Sequence, residues 1–227
     1  MKLRPQSPGN EYLRYNLLPL IDSIVPKNTS SNILSACGLG DTISSQSILI
    51  TCGNRFEKFW NKVITHSRGV DNQLPFADGT DRIKVDAKDR QVDHFFSIHD
   101  LENNNYVYLE SKTNLDFDTE KKPESNEKIK RVGEQLGFAF DATVQCGYYV
   151  PVKREIDQKC RSHYTKHGVN VYGVEDMFRW LNDVPFTIDE YFTFLREVIG
   201  PVLKEKLDGV PVKQPAHTGR HSDLDAL

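Results

Sequence analysis

The chain has 227 residues, 38% of them hydrophobic and 27% charged, and 29 Lys and Arg against 32 Asp and Glu leave a formal net charge of −3. That apolar content suffices for a proper core and excludes a disordered chain, and no apolar run approaches the roughly 20 residues of a membrane span. The balance of charge excludes a globally basic nucleic-acid binder, so any affinity for a polyanion has to come from locally placed cations.

Asn10 to Val25 carries Tyr12, Leu13, Leu17, Leu20, Ile21 and Ile24 and stops before Pro26, which predicts an amphipathic helix. After a polar KNTSSN linker, Gly38-Leu39-Gly40 reads as a small-residue turn leading toward a second helix past Ile48-Leu49-Ile50. No Gly-Lys-Ser/Thr follows those glycines, which argues against a phosphate loop and a nucleotide cofactor. Gly53 to Ser67 is the clearest helix of the first half, with Phe56, Phe59, Trp60, Val63 and Ile64 as its core stripe. Glu57 shares a turn with that stripe, where a carboxylate either sits exposed on the flank or reaches into a catalytic centre. Asp71 to Lys88, with Pro75 and Asp78-Gly79, reads as a loop that leads through a short strand, Arg82 to Val85, into a sheet.

The stretch from Arg90 to Lys112 is the one around which the rest is arranged. Val92, His94, Phe96 and Ile98 alternate with Asp93, Phe95, Ser97 and His99, and Tyr106 to Lys112 is rich in aromatic and aliphatic residues. Both runs read as strands, joined by the turn-forming Glu102-Asn103-Asn104-Asn105. Side chains alternate along a strand, so Glu110 and Lys112 share a face with Cα atoms about 7 Å apart, and Asp93 can join them from the neighbouring strand. Two carboxylates and an ammonium at a strand end are costly to desolvate unless they pair or hold a cation. Hard oxygen ligands suit Mg²⁺, which needs one or two carboxylates besides water and a substrate phosphate. Such a set has the outline of a phosphodiester hydrolase. Acid-x-Lys triplets also occur at Asp86-Ala87-Lys88, Glu120-Lys121-Lys122 and Asp157-Gln158-Lys159, but those lie in a loop, a polar run and a helix. Only Glu110 and Lys112 close a hydrophobic strand that follows an Asp-bearing one.

Thr113 to Lys122 reads as a polar connection. Glu124 to Leu136 reads as a helix with Lys128, Lys130 and Arg131 on its polar side and Ile129, Val132 and Leu136 inward. Phe138 to Val152 is expected to be a strand bulged near Gly147, Arg154 to His167 a helix, and Val169 to Val174 a last strand. Lys153, Arg154, Lys159, Arg161 and Lys166 make the span to His167 locally basic, whereas acids prevail from Glu175 to Glu197, as suits a dimer face or a solvated helix turned from the ligand. Two final helices, EDMFRWLN and TIDEYFTFLREVIGPVLKEKL, carry strong apolar stripes whose first expected role is core and whose second is a subunit interface.

Cys37, Cys52, Cys146 and Cys160 form no Cys-x-x-Cys pair, and Met1 to Tyr15 has no apolar signal core. They therefore read as reduced thiols of a cytoplasmic protein. Cys160, His163 and His167 share a helical face but lack a fourth zinc ligand, and His217 and His221 lie in a polar tail, so both sets read as ordinary. The element order predicts an α/β fold, one domain over 1–227 with a central mixed β-sheet flanked by helices. Its core spans about 53–175, with helical additions at 10–52 and 175–207 and a polar tail at 208–227.

Asp93, followed by Glu110-Ser111-Lys112, resembles the bipartite PD-(D/E)XK signature of type II restriction endonucleases. Gln91-Val92-Asp93-His94, Leu109 to Leu115 and the Asn54 to Trp60 helix share that likeness, which covers roughly residues 54–175. Val92 stands where that signature often has proline. The resemblance implies a restriction-endonuclease-like core and Mg²⁺-dependent cleavage of double-stranded DNA by a homodimer, giving 5′-phosphate and 3′-hydroxyl ends. Asp93 and Glu110 would hold the metal, Lys112 would orient or deprotonate the water, and Glu57 has precedent as an accessory acid. Lys128, Lys130, Arg131, Lys153, Arg154 and Lys159 are the candidate DNA-phosphate contacts. A repair or recombination nuclease of the same superfamily and a non-catalytic DNA-binding module are the alternatives.

Overall fold

The computed structural model describes residues 7–24, 45–99, 105–113 and 121–208. Cys37, Gly38-Leu39-Gly40, the turn expected at 102–104, the connection at 114–120 and the polar tail with its two histidines lie outside them. The protein is α/β, with a five-stranded mixed sheet between two helical layers and a separate two-stranded hairpin.

The first helix comes in two pieces, α1 (Pro8–Asn16) and α2 (Leu18–Asp22). Pro19 explains the break: it has no N–H to continue the ladder. Leu13, Leu17, Ile21 and Ile24 still all face the core. Helix α3 (Ser45–His66) begins well before the expected Gly53 and absorbs the Ile48-Leu49-Ile50 run. Ile48 points inward, while Leu49 and Ile50 stay exposed.

Strand β1 (Val70–Asn72) was not legible in sequence, because only Val70 of its three residues is apolar. It pairs antiparallel with β4, Val70 opposite Ile98. Arg82 to Val85 is a strand, β2 (Arg82–Val85), but it does not enter the main sheet. It pairs with β3 (Lys88–Gln91) in its own hairpin. Asp86 and Ala87 between them both have positive φ, 50° and 61°, the conformation a tight two-residue hairpin turn demands. The expected continuous strand from Arg90 therefore breaks at Val92 and Asp93, and β4 (His94–Ile98) starts afresh.

Strands β4 and β5 (Asn105–Ser111) are antiparallel, with His94 opposite Leu109 and Phe96 opposite Val107. His94, Phe95 and Phe96 are all buried, so the expected polar alternation disappears in a strand covered on both faces. Helix α4 (Lys121–Phe140) then crosses to β6 (Thr143–Tyr149), which runs parallel to β5. Phe138 and Phe140 belong to the helix rather than to the strand expected over 138–152, and the ladder passes Gly147 without a bulge. Gly147 instead permits close approach to the next strand, since a Cβ there would lie 2.5 Å from the Asn170 carbonyl oxygen. Helix α5 (Gln158–Thr165), shorter than expected and capped by Asp157, leads to β7 (Asn170–Tyr172), parallel to β6.

The chain closes with α6 (Val174–Trp180), α7 (Ile188–Phe194), a π turn (Leu195–Ile199) and α8 (Gly200–Asp208). Their apolar stripes pack with α1, α2 and α3 against one sheet face, where Phe59, Trp60, Phe186 and Tyr191 form an aromatic cluster with ring centroids 5.4–6.2 Å apart. On the opposite face Ile129, Val132 and Leu136 of α4 and Tyr164 of α5 cover Phe95, Tyr108, Tyr148 and Val171. Among the described residues no helix is long and apolar enough to cross a membrane.

Candidate active site

The two core layers meet the sheet at the end of the β4–β5 hairpin, and this is where the chemistry-bearing residues gather. Asp93 sits at the entry to β4. Its backbone carbonyl accepts from Asn61 Nδ2 of α3 at 2.8 Å, and its Oδ2 accepts from the Ser111 N–H at 2.9 Å. The same Asn61 accepts at Oδ1 from His94 Nδ1 at 2.7 Å. Because its amide nitrogen is spent on a carbonyl, its oxygen has to be the acceptor, which puts the proton of neutral His94 on Nδ1. Burial pushes His94 down to about 3, so it stays neutral. Asp93 is thereby held from α3 and β5 together.

Glu110 and Lys112 share a strand face as their spacing predicts, and the Lys112 ammonium donates to Glu110 Oε1 at 2.9 Å. A second ammonium, which sequence reasoning assigned to a DNA phosphate, also comes here. Lys128 Nζ of α4 lies 2.8 Å from Oε1 and 2.9 Å from Oε2 of Glu110, and Tyr108 Oη donates to Oε2 at 3.2 Å. The sequence did contain a signal. Lys128 precedes Val132 and Leu136 by four and eight residues, so it lies on the inward stripe rather than the polar side. Ile129 beside it, at helical spacing from Val132 and Leu136, already marked that face.

Glu57 reaches this region from α3. It accepts from Gln91 Nε2 at 3.2 Å and lines a cleft of about 430 Å³ with Lys58, Asn61, Lys62, Asp81 and Val92. The electrostatics divide the acids into two kinds. Burial works against the charge of Glu110, but Lys112 and Lys128 overcome it and hold this carboxyl below the usual range. Asp93 is in no salt bridge among the described residues; burial first, and then the Glu110 charge, push it up to about 7 against the weaker pull of the Ser111 N–H, Lys112 and Lys128. Burial, followed by repulsion from Asp93, Asp81 and Glu110, pushes Glu57 up to about 8. These are two like-charged groups that resist ionising side by side.

A divalent cation would relieve that resistance. Among the described residues no three His, Cys, Asp or Glu side chains form a ready-made metal cluster, so the donor set is a pair of carboxylates, Asp93 and Glu110. Both are largely buried and offer hard oxygens, a set that fits Mg²⁺ with its preference for few protein ligands and retained water.

The other predicted phosphate contacts lie away from this cluster. Lys130 pairs with Glu127 at 2.9 Å, Arg131 with Asp86 at 2.5 Å, and Arg154 with both Glu175 and Asp189 at 2.8 and 2.6 Å. Lys153 and Lys159 are exposed, and no salt bridge involves them among the described residues. Arg154 also lies outside the helix in which it was expected. The ring of His163 on α5 and that of His167 in the turn after it stand edge to face, 5.3 Å apart. Asn61, Gln91, His94 and Tyr108 escaped the sequence reading, because each acts through a partner that no local pattern reveals. No protein-family model matches this chain, and no curated protein matches it.

Proposed function

We propose that this protein is a Mg²⁺-dependent endonuclease with a PD-(D/E)XK-type centre, acting on double-stranded DNA as a type II restriction enzyme and as a homodimer. The observation that carries the reading is the meeting of Asp93, Glu110 and Lys112 at one hairpin end, where Asp93 and the neighbouring Glu57 are both hard to ionise. A merely structural salt-bridged strand edge would account for the paired Glu110. It would not account for Asp93 and Glu57, which form no salt bridge among the described residues and whose charges nearby lysines only partly offset. The mixed sheet, its helical layers and the hairpin that bears the acids support a restriction-endonuclease-like core.

Asp93 and Glu110 would hold the cation, which supplies Lewis acidity and charge neutralisation at the phosphate when bound. Lys112, already oriented by Glu110, positions the attacking water opposite the leaving 3′ oxygen. The water oxygen would form the new bond to phosphorus as the bond to the 3′ oxygen breaks, the attacking water giving a proton to solvent and the 3′ oxygen taking one up from it, which leaves a 5′-phosphate and a 3′-hydroxyl. Glu57 serves as an accessory carboxylate on the cleft wall. Homodimery follows from the two-fold symmetry of duplex targets, one centre to each strand.

Incubation with phage DNA and Mg²⁺, followed by sequencing of fragment ends, tests the reading. Discrete fragments are the expected result, lost by about a hundredfold or more in Asp93→Asn, Glu110→Gln and Lys112→Ala. Cutting confined to junctions or flaps would mean a repair nuclease. Unchanged DNA binding in Glu110→Gln, with no Mg²⁺ requirement and no cutting by the parent protein, would mean a binding module.

A further inference from the structure

Glu110 is only 6% exposed, yet it accepts from two ammonium groups, and one would suffice to neutralise it. Lys112 stands on the same strand and uses Oε1 alone. Lys128 comes from another element, bridges both oxygens, and so covers the donor atoms that a cation shared with Asp93 would need. Its side chain is 29% exposed, and its flexible four-carbon stem lets the ammonium turn outward without moving α4. Asp93 meanwhile keeps its carboxylate in place through the Ser111 N–H and its backbone through Asn61.

We propose that Lys128 is a built-in counter-ion that competes with the divalent cation for Glu110, and that cation uptake releases its ammonium toward a phosphate of the bound nucleic acid. This rests on the reading of the centre as a metal-dependent nuclease. Without nucleic acid, Lys128 keeps the carboxylates compatible with one another and keeps affinity for the cation low. A phosphate bound beside Glu110 gives the ammonium a new partner, so cation and nucleic acid favour each other's binding. Linkage makes that coupling reciprocal.

Mn²⁺ binding to the full chain, measured by calorimetry in the absence of DNA, tests this without recourse to activity. Lys128→Met should bind Mn²⁺ about tenfold more tightly than the parent protein, the size expected on removing one charged hydrogen-bonding competitor. Lys128→Gln, which keeps a polar contact to Glu110, should fall between them and stands in if the methionine variant does not fold. A short DNA duplex should tighten Mn²⁺ binding in the parent protein and do so much less in either variant. Unchanged or weaker Mn²⁺ affinity in both variants would overturn the role of Lys128 while leaving the metal centre intact. Absence of Mn²⁺ binding in the parent and both variants would overturn the metal centre itself and this inference with it.

Discussion

Asp93 and Glu57 are carboxyl groups whose protons the folded chain keeps to about pH 7 and about pH 8. Their ordinary values lie near 4, so between roughly pH 4 and 8 the folded state binds more protons than the unfolded state. Stability from these groups is therefore fully present below about pH 4 and is lost as pH rises through 7 and 8. Thermal melts of the metal-free protein at pH 5.5 and pH 8.5 should show this as a falling melting temperature. Glu57→Gln should lessen the fall, because its amide has no charge to desolvate; an identical fall in parent and variant would show that Glu57 ionises freely. Lys128 carries the contrasting lesson at this scale. Its charge suggested a phosphate contact, and its place four residues before Val132 brings it to Glu110 in the folded chain. Residue type named its chemistry, and only position within the helix named its partner.

At the level of elements, the sheet depends on two close fits. Gly147 brings β6 so near β7 that a methyl group would collide with backbone, at 2.5 Å from the Asn170 oxygen. Gly147→Ala should cost about 2 kcal/mol in urea unfolding, and an unchanged midpoint would mean that β7 can shift freely. The second fit is Asp176 at the start of α6. It accepts from Arg161 Nη2 at 2.6 Å, from Arg179 Nη1 at 2.8 Å and from the Gly173 N–H at 2.8 Å, with its side chain 6% exposed. Arg161 also donates to the carbonyls of Ile156 and Val171, so this one carboxylate ties α5, β7 and α6 together. Asp176→Ala should destabilise by about 3 kcal/mol, since it leaves a part-buried guanidinium without its counter-charge; a loss well under 1 kcal/mol would reduce the network to a surface contact. Helices and strands with long apolar periods were legible in sequence. The split at Pro19, the three-residue β1 and the detached β2–β3 hairpin were not, because short elements take their stability from what they pair with.

Across the whole molecule, a net charge of −3 would leave any DNA affinity to locally placed cations that are not already committed. Arg154 is held by Glu175 and Asp189, whereas Lys153 and Lys159 are exposed and in no salt bridge among the described residues. If DNA lies along this side, Lys159→Ala should reduce the slope of log affinity against log salt by about 0.9, the contribution of one phosphate contact. Arg154→Ala should leave the slope nearly unaltered. Equal effects of the two substitutions in a salt titration would refute that division.

By itself, the amino-acid order determined that Glu110 and Lys112 share a face, that Phe59 and Trp60 lie inside, and that helices alternate with strands of a mixed sheet. Each of these follows from a local period, two residues in a strand or 3.6 in a helix. Only the tertiary structure decided that Asn61 clamps Asp93, that Glu57 stands near Asp93 and Asp81, and that two lysines from different elements meet on one carboxylate. Those facts depend on how α3 and α4 lie against opposite faces of the sheet. Packing sets that arrangement through contacts between residues far apart in the chain, for which no local spacing carries a signature.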